Sequence, residues 1–95
     1  MDVVSRRIAE VHAELLLIHP FREGNGRLAR SLADLMTFQA GFPAPVYGFA
    51  GKGSRTRQAQ YLEAVRQGYM QDYEPLASFF VEAIGRRLRE LGERR

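Results

Sequence analysis

Residues 19–30 run His-Pro-Phe-Arg-Glu-Gly-Asn-Gly-Arg-Leu-Ala-Arg, and this stretch divides the chain into the segments on either side of it. Pro20 disfavours a helical backbone at His19, so a preceding helix is expected to end near Ile18. Asp2 can cap that helix, and apolar residues then recur three or four positions apart. They are Val4, Ile8, Val11, Leu15 and Ile18. The spacing predicts an amphipathic first helix from Asp2 to about Ile18.

A second helix is predicted on the other side of the stretch. It begins at Arg27 and ends at Gly41, and one side of it carries large apolar residues. They are Leu28, Leu32, Leu35 and Met36. Residues 42–54 contain two prolines and three glycines, which predicts an irregular connection with an extended portion at residues 46–49.

Two further helices complete the pattern. The third is expected from Arg55 to about Tyr69 and the fourth from about Pro75, since proline suits the first turn of a helix. The side chains expected in the core are Tyr61, Leu62 and Val65 of the third helix, and Leu76, Phe79, Phe80, Ile84 and Leu88 of the fourth. The sequence therefore predicts an all-α fold with short connections.

The composition predicts one soluble domain that covers residues 1–95. Of the 95 residues, 45% are hydrophobic and 26% are charged, as in ordinary globular proteins. There is no cysteine, which excludes disulfides and thiolate metal sites and leaves the cytoplasm as the default compartment. The longest apolar stretch, Leu15–Ile18, is far too short to cross a membrane.

The glycines of the central stretch predict an anion-binding loop. Gly24 and Gly26 permit positive φ and close backbone approach, so successive N–H groups can converge on phosphate oxygens. The N-terminus of the second helix adds free amides and a positive dipole end at the same place. Arg27 and Arg30 are three residues apart and are expected on one face there, where cations need a compensating anion.

Glu23 and His19 supply the remaining parts of a phosphoryl- or nucleotidyl-transfer site. A glutamate oxygen suits Mg²⁺, an ion that keeps several waters and also binds substrate phosphates. Histidine is the side chain whose unperturbed pKa lies near neutrality, so His19 can accept a proton from a nucleophile. Base, metal carboxylate, amides and cations together match the requirements of such a transfer.

The complete stretch resembles the Fic motif, His-x-Phe-x-(Asp or Glu)-Gly-Asn-Gly-Arg-x-x-Arg, with every defining position filled from His19 to Arg30. The likeness extends more loosely through residues 39–43, Tyr61-Leu62 and residues 72–76. It implies a compact helical Fic-type core in which the loop connects two central helices. It also implies Mg²⁺-dependent transfer of AMP from ATP to a Ser, Thr or Tyr hydroxyl of a target protein, with release of pyrophosphate.

The resemblance also implies roles for individual residues. His19 would accept the proton of the target hydroxyl, Glu23 would hold magnesium, and Phe21 would anchor the loop on the core. Tyr61 resembles a tyrosine that lines the adenine pocket in many relatives, whereas Tyr69 stands where relatives often have an asparagine near the base. The residues implied to bind the nucleotide phosphates are Gly24, Asn25, Gly26, Arg27 and Arg30.

Two elements of Fic domains are missing from the pattern. Several helices and a β-hairpin flap normally precede the motif, whereas one helix precedes His19 here. The chain is therefore expected to be the C-terminal part of a Fic core that is truncated, reduced or completed by another chain.

A regulatory helix of the form Ser/Thr-x-x-x-Glu-Gly/Asn has no clean copy, because residues 78–83 end in Ala83 and lie in an apolar stripe. Inhibition would then come from an antitoxin-like partner or an N-terminal segment.

Several functional alternatives stay open at the level of sequence. Relatives transfer UMP or phosphocholine, and the loop does not exclude these donors. Relatives of the Doc type phosphorylate their targets and differ from the motif in its Gly-Asn-Gly-Arg portion. This sequence retains that portion. A catalytically inactive or incomplete domain would instead bind nucleotide or an antitoxin without transfer.

The remaining charge and polar residues give weaker indications. A helical nucleic-acid binder is the least favoured hypothesis, because only the arginine content and the net charge of +3 support it. His12 has no second metal ligand at helical spacing and is given no function. A bacterial, cytoplasmic protein is expected, while homo-oligomer formation and the identity of the target are left open by the sequence.

Overall fold

The computed structural model describes residues 2–18 and 25–93 of the chain. These residues form four helices and the connections between them. The helices are α1 Asp2–Ile18, α2 Asn25–Gln39, α3 Ser54–Tyr69 and α4 Glu74–Glu93. These two ranges contain no strand, so the predicted all-α class is confirmed. Within them, no helix is both long enough and apolar enough to cross a membrane.

The helix ends follow from local sequence signals. α1 ends at Ile18, two residues before Pro20. α2 ends in a left-handed turn at Gly41, which has φ 88°. The N–H of Phe42 donates to the carbonyl of Thr37 across this turn, and one of the last free carbonyls of the helix is thereby satisfied.

α1 lies at the centre of the fold because it packs against each of the other three helices. α3 packs against both α1 and α4, whereas α2 packs against α1 alone among the described helices. Among the residues whose burial the structure describes, Phe80 of α4 is the largest fully buried side chain. The buried apolar side chains are Ile8, Ala9, Ala13, Leu16, Ala29, Ala33, Tyr61, Ala64, Val65, Leu76, Ala77, Phe79, Phe80, Ala83 and Ile84.

The buried faces of the four helices differ in part from those that the large apolar residues predict. Leu62 is 62% exposed, so the expectation that it faces the core is wrong. Ile18 and Leu35, which belong to the apolar patterns of α1 and α2, are 71% and 51% exposed. Val11, Leu28 and Leu88 are exposed as well. Small side chains occupy the helix contacts instead, since they allow the helix axes to approach closely. They include Ala9, Ala13, Ala29, Ala33 and Ala64.

Gly68 marks the close approach of α3 to α1. A β-carbon added there would lie 2.8 Å from the Cβ atom of Ala13, which cannot move without its helix. We expect Gly68→Ala to lower the free energy of unfolding by about 1–2 kcal/mol, because this clash outweighs the higher helix propensity of alanine.

Gly85 of α4 provides a matched control for this prediction. A β-carbon there would lie 3.5 Å from a terminal nitrogen of Arg89, an ordinary contact with a flexible side chain. Gly85→Ala should therefore raise the free energy of unfolding by up to about 1 kcal/mol. Urea denaturation of both variants measures the two signs, and a stabilised Gly68→Ala protein would contradict the close contact of α1 with α3.

The segment between α2 and α3, residues 42–53, is irregular and forms no strand at residues 46–49, where the sequence predicts an extended portion. Arg57 of α3 holds this segment, because its Nε–H donates to the Tyr47 carbonyl at 3.2 Å. The Arg57 guanidinium also lies 3.8 Å from the centre of the Phe79 ring. The irregular segment is thereby fixed against the helical core.

Candidate functional site

The N-terminus of α2 is the part of the predicted anion site that the structure describes. α2 begins at Asn25, so Gly26 and Arg27 lie in its first turn and Arg30 lies in the next. This first turn contains no acidic side chain that would compensate the positive end of the helix dipole. The predicted site residues that lie outside the described ranges are His19, Phe21, Glu23 and Gly24.

The two motif arginines differ in their surroundings. Arg27 is exposed, whereas Arg30 is partly buried. A β-carbon at Gly26 would lie 3.1 Å from the Nη1 atom of Arg30, so the guanidinium rests against the Gly26 backbone. The Cζ atom of Arg30 is 5.6 Å from the centre of the Phe49 ring, within range of a cation–π interaction. Arg30 is thus held toward the N-terminal end of its own helix.

Tyr47 connects the irregular segment to α2 near Arg30. Its hydroxyl donates to Oδ1 of Asp34 at 3.1 Å and lies 3.3 Å from the Arg30 carbonyl, a second acceptor. Burial, and then the Asp34 charge, raises the pKa of Tyr47, so the hydroxyl keeps its proton. Burial also raises the pKa of Asp34, while the Tyr47 hydrogen bond and the charges of Arg30 and Arg87 oppose that rise.

His12 is a buried histidine at the centre of α1, and both of its ring nitrogens have partners. Nδ1 lies 3.1 Å from the Ala29 carbonyl, which can only accept, so we assign the proton to Nδ1. Nε2 then accepts a hydrogen bond from the hydroxyl of Tyr61. Burial is the main cause of a His12 pKa lowered to about 4, and the Arg30 charge acts in the same direction against the Ala29 hydrogen bond. The imidazole is therefore neutral near pH 7.

Tyr61 extends the contacts of His12 into α3. Burial raises the pKa of Tyr61, whereas the nearby Arg30 guanidinium opposes the rise. The hydrogen bonds therefore run from the Ala29 carbonyl of α2 through His12 of α1 to Tyr61 of α3. We call Ala29, His12 and Tyr61 the His12 network.

The comparisons with known proteins place these elements in a family. Residues 2–37 match the family model described as Fic/DOC family, a range that contains α1, the motif stretch and most of α2. The chain belongs to the Fic/DOC family. The match includes His12 and Arg30 but ends before Tyr61.

Curated members of the Fic/DOC family are similar over most of this chain. The chain is 32% identical over 83 residues to the protein adenylyltransferase Fic of Culex quinquefasciatus, an alignment that covers 87% of this chain and 15% of that protein. It is 33% identical over 75 residues to the protein of the same name from Nematostella vectensis, covering 79% of this chain and 16% of that protein. The chain thus spans about 15% of the length of these relatives. None of the solved structures gives a significant match.

These relatives of the Fic/DOC family bear on the expected origin of the protein. Both are eukaryotic, so they lend no support to the expectation of a bacterial source. Both proteins are named protein adenylyltransferase, which agrees with the class of reaction that the motif implies.

Tyr61, to which the resemblance gives a role in binding the nucleobase, lies in the core of this Fic/DOC family member. It is 5% exposed, and the ring centres of Phe49 and Phe79 lie 5.1 and 5.3 Å from its own. Its hydroxyl is engaged with His12. Because a nucleobase would have to reach the small exposed part of this ring, the base-binding role of Tyr61 stays a prediction.

Residues 78–83 in α4, which partly match the regulatory helix of the family, pack into the core. Phe79, Phe80 and Ala83 are buried. Glu82 is exposed and forms an ion pair with Arg57 at 3.1 Å. The segment therefore contributes packing and an α3–α4 ion pair, as its apolar pattern indicates.

The magnesium site expected for the family rests on Glu23. Among residues 2–18 and 25–93, no group of three or more His, Cys, Asp or Glu side chains is arranged to hold a metal ion. Glu23 lies outside these ranges, and the requirement for magnesium therefore stays a prediction.

Sequence reasoning missed the His12 network and the contribution of Phe49. The available signal was the recurrence of the small residues Ser5, Ala9 and Ala13 at helical spacing, which indicates a closely packed helix face. His12 lies on that same buried face. A polar ring in such a place needs partners for both nitrogens, which implies contacts with the neighbouring helices.

Proposed function

We propose that this protein transfers AMP from ATP to a Ser, Thr or Tyr hydroxyl of a target protein. The observation that carries the proposal is the complete motif from His19 to Arg30, which leads into a helix whose N-terminus has the Arg30 guanidinium resting against Gly26. The names of the curated relatives support the same reaction. The proposal concerns the whole protein, of which the motif supplies the chemical groups.

The proposed reaction begins at the target hydroxyl. Its oxygen forms a bond to the α-phosphorus of ATP, while the bond from that phosphorus to the oxygen bridging the α- and β-phosphates breaks. The hydroxyl proton moves to His19, and pyrophosphate leaves with the electron pair of the broken bond. Positioned general bases contribute roughly 100- to 10,000-fold to such steps.

Binding of the triphosphate is assigned to the loop and the start of α2. The amides of residues 24–26 would face phosphate oxygens at the positive end of the helix. Arg27 and Arg30 would contact the outer phosphates, for which the planar guanidinium fork is well suited. Arg30 has little freedom to move because Gly26 and Phe49 flank it. Glu23 would hold Mg²⁺, which when bound neutralises part of the phosphate charge.

Radiolabelled ATP tests this proposal directly. The protein is incubated with magnesium and a lysate that supplies target proteins, with ATP labelled at the α-phosphate in one reaction and at the γ-phosphate in another. AMP transfer predicts protein-bound label from the α-labelled ATP, above a control without the protein, whereas label from the γ-position alone would indicate phosphorylation.

Other donors separate the remaining alternatives. Label from UTP or from CDP-choline, in the absence of label from ATP, would replace the proposal by transfer of UMP or phosphocholine. ATP binding measured by calorimetry without transfer from any donor would instead favour a nucleotide-binding module.

The Glu23 carboxylate is expected to set the magnesium requirement. If its charge contributes about 1.4 kcal/mol to metal binding, Glu23→Gln raises the magnesium concentration for half-maximal transfer about tenfold. Magnesium titrations of the transfer rate measure this change, and saturating magnesium should recover much of the activity. An unchanged magnesium dependence would remove Glu23 from the metal site.

A further inference from the structure

We propose that Phe49 is a positioning residue, whose ring holds the Arg30 guanidinium against the backbone of Gly26 at the N-terminus of α2. The inference rests on the proposed function insofar as Arg30 is there assigned to the outer phosphates of ATP. Phe49 itself touches no substrate in this proposal.

The place of the guanidinium is defined by two neighbours. A β-carbon at Gly26 would lie 3.1, 3.8 and 3.9 Å from Nη1, Cζ and Nη2 of Arg30, so the end of the guanidinium lies against this glycine. The centre of the Phe49 ring is 5.6 Å from the same Cζ atom. Gly26 and Phe49 therefore restrict the cation to the end of α2 that carries the positive pole of the helix dipole.

An aromatic ring is a suitable partner for an arginine that has to bind an anion. The ring attracts the cation through its negative face and does not neutralise it. A carboxylate, by contrast, would accept the guanidinium N–H groups and compensate the charge. Phe49 can therefore restrict Arg30 without using the charge or the hydrogen-bond donors that a phosphate requires.

The Phe49 ring is itself held in place by other aromatic rings. The ring centres of Tyr61, Tyr47 and Phe79 lie 5.1, 5.6 and 6.3 Å from its own. Rings at such distances pack favourably in edge-to-face or offset arrangements. Because Tyr61 and Phe79 are buried, these contacts connect Phe49 to the core between α3 and α4. The ring thus has a fixed position from which to hold Arg30.

The backbone around Phe49 is anchored to α3. The side-chain amide of Gln58 donates to the Phe49 carbonyl at 3.4 Å, and the Nε–H of Arg57 donates to the Tyr47 carbonyl at 3.2 Å. Both donors belong to α3, which among the described helices packs against α1 and α4 but not against α2. Phe49 is thereby a direct link from α3 to the arginine of α2.

NMR relaxation of the Arg30 side chain tests the inference in the ligand-free protein. Phe49→Leu keeps an apolar side chain but removes the ring, so we expect the order parameter of the Arg30 Nε–H to fall below about 0.6, the range of flexible groups. Phe49→Tyr keeps the ring and should retain the wild-type value. The Nε–H of Arg57 serves as the internal reference, because its contacts with the Tyr47 carbonyl and the Phe79 ring remain.

A matched substitution separates positioning from a general loss of stability. Ile8→Val removes one methyl group from the core at α1 and should leave the Arg30 order parameter unchanged. If Phe49→Leu fails to fold, Phe49→Met also lacks the ring, and its flexible side chain adapts to the space that the ring leaves. An unchanged Arg30 order parameter in a folded Phe49→Leu or Phe49→Met protein would overturn the inference, whether or not the wild type binds ATP.

Nucleotide binding relates the inference to the proposed function. Phe49→Leu is expected to weaken ATP binding roughly three- to tenfold, the scale of one cation–π contact, and AMP binding little, because AMP lacks the outer phosphates. In the Arg30→Gln background, Phe49→Leu should cause no further loss. Equal losses for ATP and AMP, or fully additive losses, would count against positioning. Absence of ATP binding by the wild type would instead reject the proposed function, and the order parameter would still decide the role of Phe49.

Discussion

Replacing His19 with alanine is expected to lower the rate of AMP transfer by at least about 100-fold, while the affinity for ATP stays largely unchanged. A general base acts in the chemical step, whereas ATP binding is assigned to the loop amides and to Arg27 and Arg30. Initial rates of transfer from α-labelled ATP, together with calorimetric titration with ATP, measure the two quantities separately.

Arg27→Gln is the matched control for this prediction. It removes a proposed phosphate contact and leaves the proposed base in place, so its loss should appear chiefly as weaker ATP binding. Raising the ATP concentration should recover part of the lost rate in Arg27→Gln and none of it in His19→Ala. Transfer at the wild-type rate by His19→Ala would show that another group accepts the proton.

Acid is expected to destabilise the protein by up to about 3 kcal/mol through His12 alone. The ordinary pKa of 6.5 is lowered to about 4 in the folded protein, chiefly by burial. Between these values the unfolded chain binds a proton that the folded protein excludes, so the free energy of unfolding falls as the pH falls from 6.5 to about 4. The contribution is fully present above pH 6.5 and lost below about pH 4.

Urea denaturation between pH 4 and pH 7 measures this effect. The wild-type free energy of unfolding should fall steeply over that range, and the fall should be much smaller in His12→Phe, whose ring cannot be protonated. Asp34 acts in the opposite sense, because burial raises its pKa and its contribution to stability is lost as the pH rises. Asp34→Asn should therefore retain the His12-dependent slope, and an equal slope in the wild type and His12→Phe would contradict the prediction.

The positions of the helices were largely predictable because their boundaries depend on local chemistry. The structure describes α1 over Asp2–Ile18, the range that the sequence predicts, and it begins α4 at Glu74, one residue before Pro75. The start of α2 at Asn25 rather than Arg27 places Gly26 within the helix. Such small differences at helix ends do not change the fold.

The buried faces were less predictable because they depend on tertiary contacts. The spacing rule gives weight to large apolar residues such as Leu35 and Leu62, which are exposed in the structure. The close contact between Gly68 and Ala13 depends on two small side chains that carry little weight in any hydrophobic pattern. A sequence taken alone does not show which helices meet closely enough to require small residues.

The candidate site was likewise predictable only in part. The motif predicts the residues of the phosphate site by their order in the chain, and the structure describes Gly26, Arg27 and Arg30 at the start of α2. His12 and Tyr61 are 49 positions apart, so only the folded structure reveals that their side chains are hydrogen-bonded. Contacts between distant residues of this kind have no local pattern in the sequence.

Among the described helices, α2 packs against α1 alone, and this has a consequence for ligand affinity. A helix with one helical neighbour is the one most able to separate as a cooperative unit while the remaining helices stay assembled. Nucleotide binding would then require that α2 is packed against α1. In that case the apparent affinity is the intrinsic affinity multiplied by the fraction of molecules in which α2 is packed. Substitutions at the α1–α2 contact, as at Ala33, would then weaken nucleotide binding without altering any group that touches the ligand.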